Sequence, residues 1–276
     1  MKLLSRRKML IMSGSAAGIA ALTMLPTKLS ANEQNSVNHN KSADFFSKSE
    51  THSDSKKAKN KRKKILVVGA HPDDPETGCG GTMILLSQAG HEIVSLYLTR
   101  GEAGINGKTY EEAARIRTNE ALKACEIMGA RAEFLSQIDG SCEITSNRYT
   151  EMFDFIRKEN PDIVLTHWPI DGHRDHRICS VLVYDAWLKM NRSFELYYYE
   201  VESGQQTQLF APTDFVNIDS VVEEKHRACY CHASQHMDEV FGLYHDQMEH
   251  FRGLQSRCKF AEAFVKHHQG TTAIPL

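Results

Sequence analysis

Ile65-Leu66-Val67-Val68-Gly69-Ala70-His71-Pro72-Asp73-Asp74-Pro75-Glu76-Thr77-Gly78-Cys79-Gly80-Gly81 decides how this chain folds. The first six residues form a short apolar run with no polar alternation, the pattern of a strand covered on both faces inside a parallel sheet. The run ends in a turn-forming stretch that carries an imidazole and two carboxylates. In open α/β sheets ligands bind at the loops that leave the carboxyl ends of strands. His71 and Asp74 stand three apart, so one imidazole and one carboxylate can converge on a cation while Asp73 sits beside it unbound.

A second stretch supplies the matching half. After the breaker Pro161, Asp162-Ile163-Val164-Leu165-Thr166-His167 reads as another buried strand, and it runs into Trp168-Pro169-Ile170-Asp171-Gly172-His173-Arg174-Asp175-His176. A His/Asp/His set with an open fourth position has the stoichiometry of a catalytic metal, because structural zinc is normally closed by four protein ligands. Such an ion brings the pKa of water toward ~7 and polarises a carbonyl. A free carboxylate nearby can finish activating the water. Alone, a His-Pro-Asp turn is commonly a capped loop and a His-x-x-His pair surface decoration; their conjunction at two strand ends carries the argument.

Outward from these motifs, the pattern predicts a helix from about Gly80 to Gln88, a strand over Glu92–Leu98, a surface loop over Thr99–Thr109 and an amphipathic helix over Tyr110–Met128 stopped by Gly129. A strand at Ala132–Leu135, helices at Tyr149–Glu159 and His176–Lys189, and strands at Glu195–Val201 and Asp214–Ile218 follow. Asp219 or Ser220 is expected to cap a helix running toward Gln235, and a last helical stretch is expected to end near Lys266. Strands alternating with helices predict one α/β domain: a Rossmann-like, doubly wound, mostly parallel sheet with helices on both faces, over residues 65–266, with 267–276 as a tail.

The 276-residue chain has a formal net charge of -2 that conceals two opposed parts. Residues 1–64 hold 14 Lys/Arg against 4 Asp/Glu, and the remainder 19 against 31. An acidic body argues against nucleic acid as a partner. The front end, with Arg6-Arg7-Lys8 before a weakly apolar stretch over Met12–Leu25, resembles a bacterial twin-arginine signal cleaved after Ala31. Residues 32–64, ending in Lys59-Asn60-Lys61-Arg62-Lys63-Lys64, read as a basic disordered linker. These features predict export by the twin-arginine machinery to a periplasmic or secreted location, with no permanent membrane span after cleavage.

Seven cysteines without dense, even spacing predict no disulfide framework, and Cys229-Tyr230-Cys231-His232 lacks the second pair of a zinc knuckle. Tyr197-Tyr198-Tyr199 is expected to pack across strands rather than face a sugar. His226, His232, His236, His245 and His250 recur at helical spacing and are expected mostly at surfaces or interfaces. Gly78-Cys79-Gly80-Gly81 lacks dinucleotide spacing, and two aspartates would repel a pyrophosphate.

Ala70-His71-Pro72-Asp73-Asp74 and His173-Arg174-Asp175-His176 together resemble the signatures of the PIG-L, or LmbE-like, zinc-dependent deacetylases. Thr99 to Gly104, Arg117-Thr118-Asn119-Glu120 and Lys225 to Gln235 add weaker matches, so the resemblance spans about Lys64 to Lys266. It implies that His71, Asp74 and His176 ligate zinc and that Asp73 is the general base. It further implies that His173 stabilises the oxyanion or protonates the leaving amine, with Asp175 orienting it. Glu102, Arg117 and His232 are implied to shape or bind the sugar pocket. Pro75 departs from the many members that carry Glu directly after the two aspartates, and Asp171 stands where some relatives place an aromatic.

The resulting expectation is an exported metal-dependent amidohydrolase that removes N-acetyl groups from an N-acetylglucosamine-type amino sugar or its conjugate. A zinc amidase acting on another amide conjugate, and a non-catalytic glycan-binding protein of the same fold, remain as alternatives. Zinc is the expected ion, although Fe(II), Co(II) and Mn(II) also suit mixed nitrogen and oxygen sites.

Overall fold

A computed structural model describes residues 62–268. The signal reading of residues 1–31, the linker reading up to residue 61 and the end of the C-terminal tail lie outside the described residues. No helix among the described residues is long and apolar enough to cross a membrane.

Seven strands form one sheet: β1 (Lys64–Gly69), β2 (Glu92–Tyr97), β3 (Ala130–Phe134), β4 (Ile163–His167), β5 (Glu195–Tyr199), β6 (Asp214–Asn217) and β7 (Ala261–Lys266). Their order is β3-β2-β1-β4-β5-β7-β6, parallel from β3 to β5 and antiparallel at both β7 pairings. The helices are α1 (Asp74–Gln88), α2 (Tyr110–Met128), α3 (Ser146–Glu159), α4 (Arg174–Lys189), α5 (Val222–Tyr230), α6 (Met237–Val240) and α7 (His245–Ser256). Strand β1 shows why both sheet faces are covered. Ile65 and Val67 join a core with residues of α1, α2 and α5, and Leu66 and Val68 join a second core with residues of α3 and α4. The expected doubly wound class is therefore the observed one. Strand order reverses between the parallel neighbours β1 and β4, which opens the ligand crevice between their carboxyl ends.

Three expectations are corrected. Helix α1 begins at Asp74 rather than near Gly80, because Asp73 and Glu76 form a capping box and Pro75 fits the first turn. Its glycines are contact surfaces: a Cβ at Gly78 would lie 2.5 Å from the Tyr199 ring, and one at Gly81 2.6 Å from Ile218. The helix after Ile218 starts at Val222 without a side-chain cap, while Asp219 accepts the backbone N–H groups of Lys259 and Phe260. The last helix stops at Ser256, where Arg257 turns left-handed (φ 65°), and Ala261–Lys266 is strand β7, not helix. The basic run also enters the fold: Lys64 opens β1 and its Nζ reaches Glu92 and Glu159 at 3.0 and 3.1 Å.

Candidate metal centre and active site

The turn after β1 brings the first half of the site back on itself. The Asp74 carboxylate accepts the His71 N–H at 2.8 Å, and Asp74 N–H returns a bond to the His71 carbonyl at 3.2 Å. The same carboxylate is the hub of the centre: Oδ2 lies 3.3 Å from His71 Nδ1 and 3.2 Å from His167 Nε2, and Oδ1 lies 3.3 Å from His176 Nε2. All four side chains are buried. Burial would raise the Asp74 pKa, but His176 and His167 hold it well below the ordinary carboxylate range. Burial together with the neighbouring His176 pushes His167 down to about 4, so its ring is neutral.

His71, His173 and His176 form one group able to hold an ion, and Asp74, His167 and His176 another, with ligand atoms in each group within 4.8 Å of one another. Imidazole nitrogens beside a buried carboxylate are the donor set of a divalent transition ion, so these residues fit one. Asp171, expected only as a departure from relatives, has a task here: Oδ1 lies 3.1 Å from His176 Nδ1 and accepts the His173 N–H at 2.7 Å. Such a partner fixes which ring nitrogen of His176 faces an ion.

Asp73 lies one residue from the hub but is held apart. It adopts φ 121° and ψ -28°, and its Oδ2 accepts from Arg117 Nη2 at 2.9 Å. Burial raises its pKa to about 6, with Arg117 opposing the shift. His173 caps α4, its Nδ1 accepting the Asp175 N–H at 3.2 Å. The ring proton is thereby assigned to Nε2, the nitrogen left free to donate. The Asp175 carboxylate does not orient His173 as expected. It accepts from Gly140 N–H at 2.7 Å and lies 3.3 Å from His71 Nε2.

The three residues implied for sugar binding are drawn into the supporting structure. Arg117 is buried under the loop after β2, where Gly101 and Gly104 leave room for it, and it also donates to the Pro72 carbonyl. Glu102 accepts the backbone N–H groups of Arg100 and Asp139. His232 is fully buried, 3.2 Å from Glu76. Asp139 and His167 were missed as site members. Asp139 Oδ1 lies 3.1 Å from His71 Nε2, and the Asp139-Gly140 turn after β3 at the same sheet edge could have signalled it.

The family model described as "PIG-L: GlcNAc-PI de-N-acetylase" matches residues 66–187. The chain is 32% identical to the diacetylchitobiose deacetylase of Thermococcus kodakarensis over 219 residues, 72% of this chain and 81% of that protein. It is 27% identical to the 4-oxalmesaconate hydratase of Pseudomonas putida, over 71% of this chain and 82% of that protein. The N,N'-diacetylchitobiose deacetylase structure from Pyrococcus horikoshii aligns with a TM-score of 0.68 at 23% identity, covering 77% of this chain and 88% of that one, a likeness of fold.

Proposed function

The chain belongs to the PIG-L, LmbE-like family of deacetylases, and we propose that it is a zinc-dependent hydrolase that removes the acetyl group from an N-acetylglucosamine-type sugar or its conjugate. The observation that carries this reading is the buried convergence of His71, His167 and His176 on Asp74, with a second carboxylate, Asp73, held beside them by Arg117. His71, Asp74 and His176 would hold the ion, which when bound acidifies water and polarises the acetamide carbonyl.

Asp73 accepts the proton of the attacking water, whose oxygen adds to the carbonyl carbon. His173 Nε2–H faces the oxygen that gains negative charge and stabilises it. As the C–N bond breaks, the nitrogen takes back the proton that Asp73 accepted and leaves as the free amine, and the acyl group departs as acetic acid, which ionises to acetate in water. His167, kept neutral, accepts the Ala70 N–H at 3.0 Å through Nε2 and so pins the start of the turn that carries His71.

Acetate release from N-acetylglucosamine monomers, oligomers, wall fragments and glycolipids, with and without a chelator, tests the reading. Asp73→Asn is expected to keep its metal and lose about 10²–10⁴-fold in turnover. His71→Ala and His176→Ala are expected to lose the metal in elemental analysis. Near-normal turnover in Asp73→Asn refutes the base assignment. Hydration of an unsaturated carboxylate without acetate release from any amide would move the chain to the activity its Pseudomonas putida relative is named for. The paired Arg6-Arg7 before an apolar stretch supports export, which cell fractionation of an Arg6→Lys, Arg7→Lys variant tests.

A further inference from the structure

Behind Asp73 lies a buried group that no step above uses. Glu76, on the first turn of α1, is fully enclosed. Its Oε2 accepts the Asp73 N–H at 3.2 Å, and its Oε1 accepts the Tyr97 hydroxyl at 2.5 Å and lies 3.2 Å from His232 Nε2. Tyr97, the last residue of β2, and His232, just past α5, are likewise fully buried. Neither presents surface to a sugar.

Asp73 needs such a hold. At φ 121° its backbone is in a region that residues with a side chain rarely adopt, and such conformations persist only where the surroundings over-determine them. Two grips meet on this residue: Glu76 takes its N–H, and Arg117 takes its carboxylate and the Pro72 carbonyl. One short segment ties the grips together. His232 meets Glu76, and two residues on Ser234 donates its N–H and hydroxyl to Glu120 at 2.8 and 2.6 Å. Glu120 lies on α2, about one turn beyond Arg117.

We propose that Glu76, Tyr97 and His232 are positioning residues that aim the Asp73 carboxylate at the reacting water. This rests on the reading of Asp73 as general base. Tyr97 and His232 both meet Glu76 Oε1, which leaves Oε2 turned to the Asp73 N–H, and Glu76 transmits that fixity through this bond. Displacing a reacting group by about 1 Å can cost on the order of 10²-fold in rate.

The test is a double-mutant cycle on the full chain, following acetate release from an N-acetylglucosamine disaccharide, with metal content measured for every variant. Tyr97→Phe keeps the ring stacked on Phe134 and removes one O–H donor. It is expected to lower kcat about tenfold, with KM and bound metal unchanged. His232→Gln is expected to do the same. Glu76→Gln keeps an acceptor for the Asp73 N–H and is expected to recover most of the activity that Glu76→Ala loses. In the Asp73→Asn background, Tyr97→Phe is expected to cost nothing further, because it acts through Asp73. Equal losses with and without Asp73, or folded, metal-replete Tyr97→Phe and His232→Gln with unchanged kcat, overturn the proposal. If Asp73→Asn alone keeps its turnover, the base assignment fails and the positioning role falls with it.

Discussion

Lys225 is a single ammonium set among three carboxylates. Its Nζ lies 2.7 Å from Glu202, 2.9 Å from Glu249 and 2.8 Å from Glu262, and none of the four side chains is more than 1% exposed. Burial would lower its pKa, but the three carboxylates hold it well above the ordinary lysine value. Lys225→Met keeps most of the stem that crosses Gly80 and removes the charge. Removing one partner of a buried ion pair costs about 3–5 kcal/mol, and with three carboxylates left behind the upper end applies. A domain of this size shifts by roughly 2–4 °C per kcal/mol, so the melting temperature is expected to fall by about 10–20 °C. The loss is a large part of the roughly 5–15 kcal/mol that holds a domain folded. Burial pushes the Glu202 carboxyl well up toward its neutral form, so Glu202→Gln is expected to be mild both alone and beside Lys225→Met. Urea unfolding at neutral pH, followed by circular dichroism for the two single variants and the double, measures all three. A Lys225→Met loss below about 1 kcal/mol would refute the reasoning, since no buried, uncompensated carboxylate escapes so lightly.

Gly81→Ala drives a methyl to within 2.6 Å of Ile218 and is expected to destabilise by about 1–3 kcal/mol in urea melts, as overpacking does. Asp171→Asn removes the carboxylate behind His176 and is expected to weaken metal binding about 10–100-fold in competition with a chelator. Burial would raise the Glu159 pKa, but its bonds to Arg131 and Lys64 hold it below the usual range. Its ionised form therefore adds stability that is present above the unfolded-state pKa of about 4.3 and is lost as pH falls through the folded value. Glu159→Gln is expected to lower stability at pH 7 by about 1 kcal/mol and to flatten the acid limb of the pH–stability curve.

The two metal motifs were legible because each is local: a buried strand followed at once by its ligands, on strands that prove to be neighbours. Residues whose role depends on distant partners were not. Ala261-Glu262-Ala263-Phe264 carries helix-forming residues, yet pairing on both sides with β5 and β6 makes it a strand, and Glu262 turns inward to Lys225. The glycines of α1 look like a loop in sequence, but they are the face on which Tyr199, Lys225 and Ile218 pack. Of the histidines expected at surfaces, His245 is buried, since spacing along a helix does not show what covers it. Asp139 reaches the centre from a third strand end, a placement that only the sheet order reveals.

That sheet order has a consequence for assembly. Strands β1 and β4 lie side by side, but His71 and His176 are separated by more than a hundred residues, with β2 and β3 between them in the chain. A polypeptide that ends before β4 carries His71 and Asp74 but lacks His176, the third ligand proposed above. Tight ion binding thus reports that the centre of the sheet has closed, and a metal indicator added during refolding times that closure without a label on the protein.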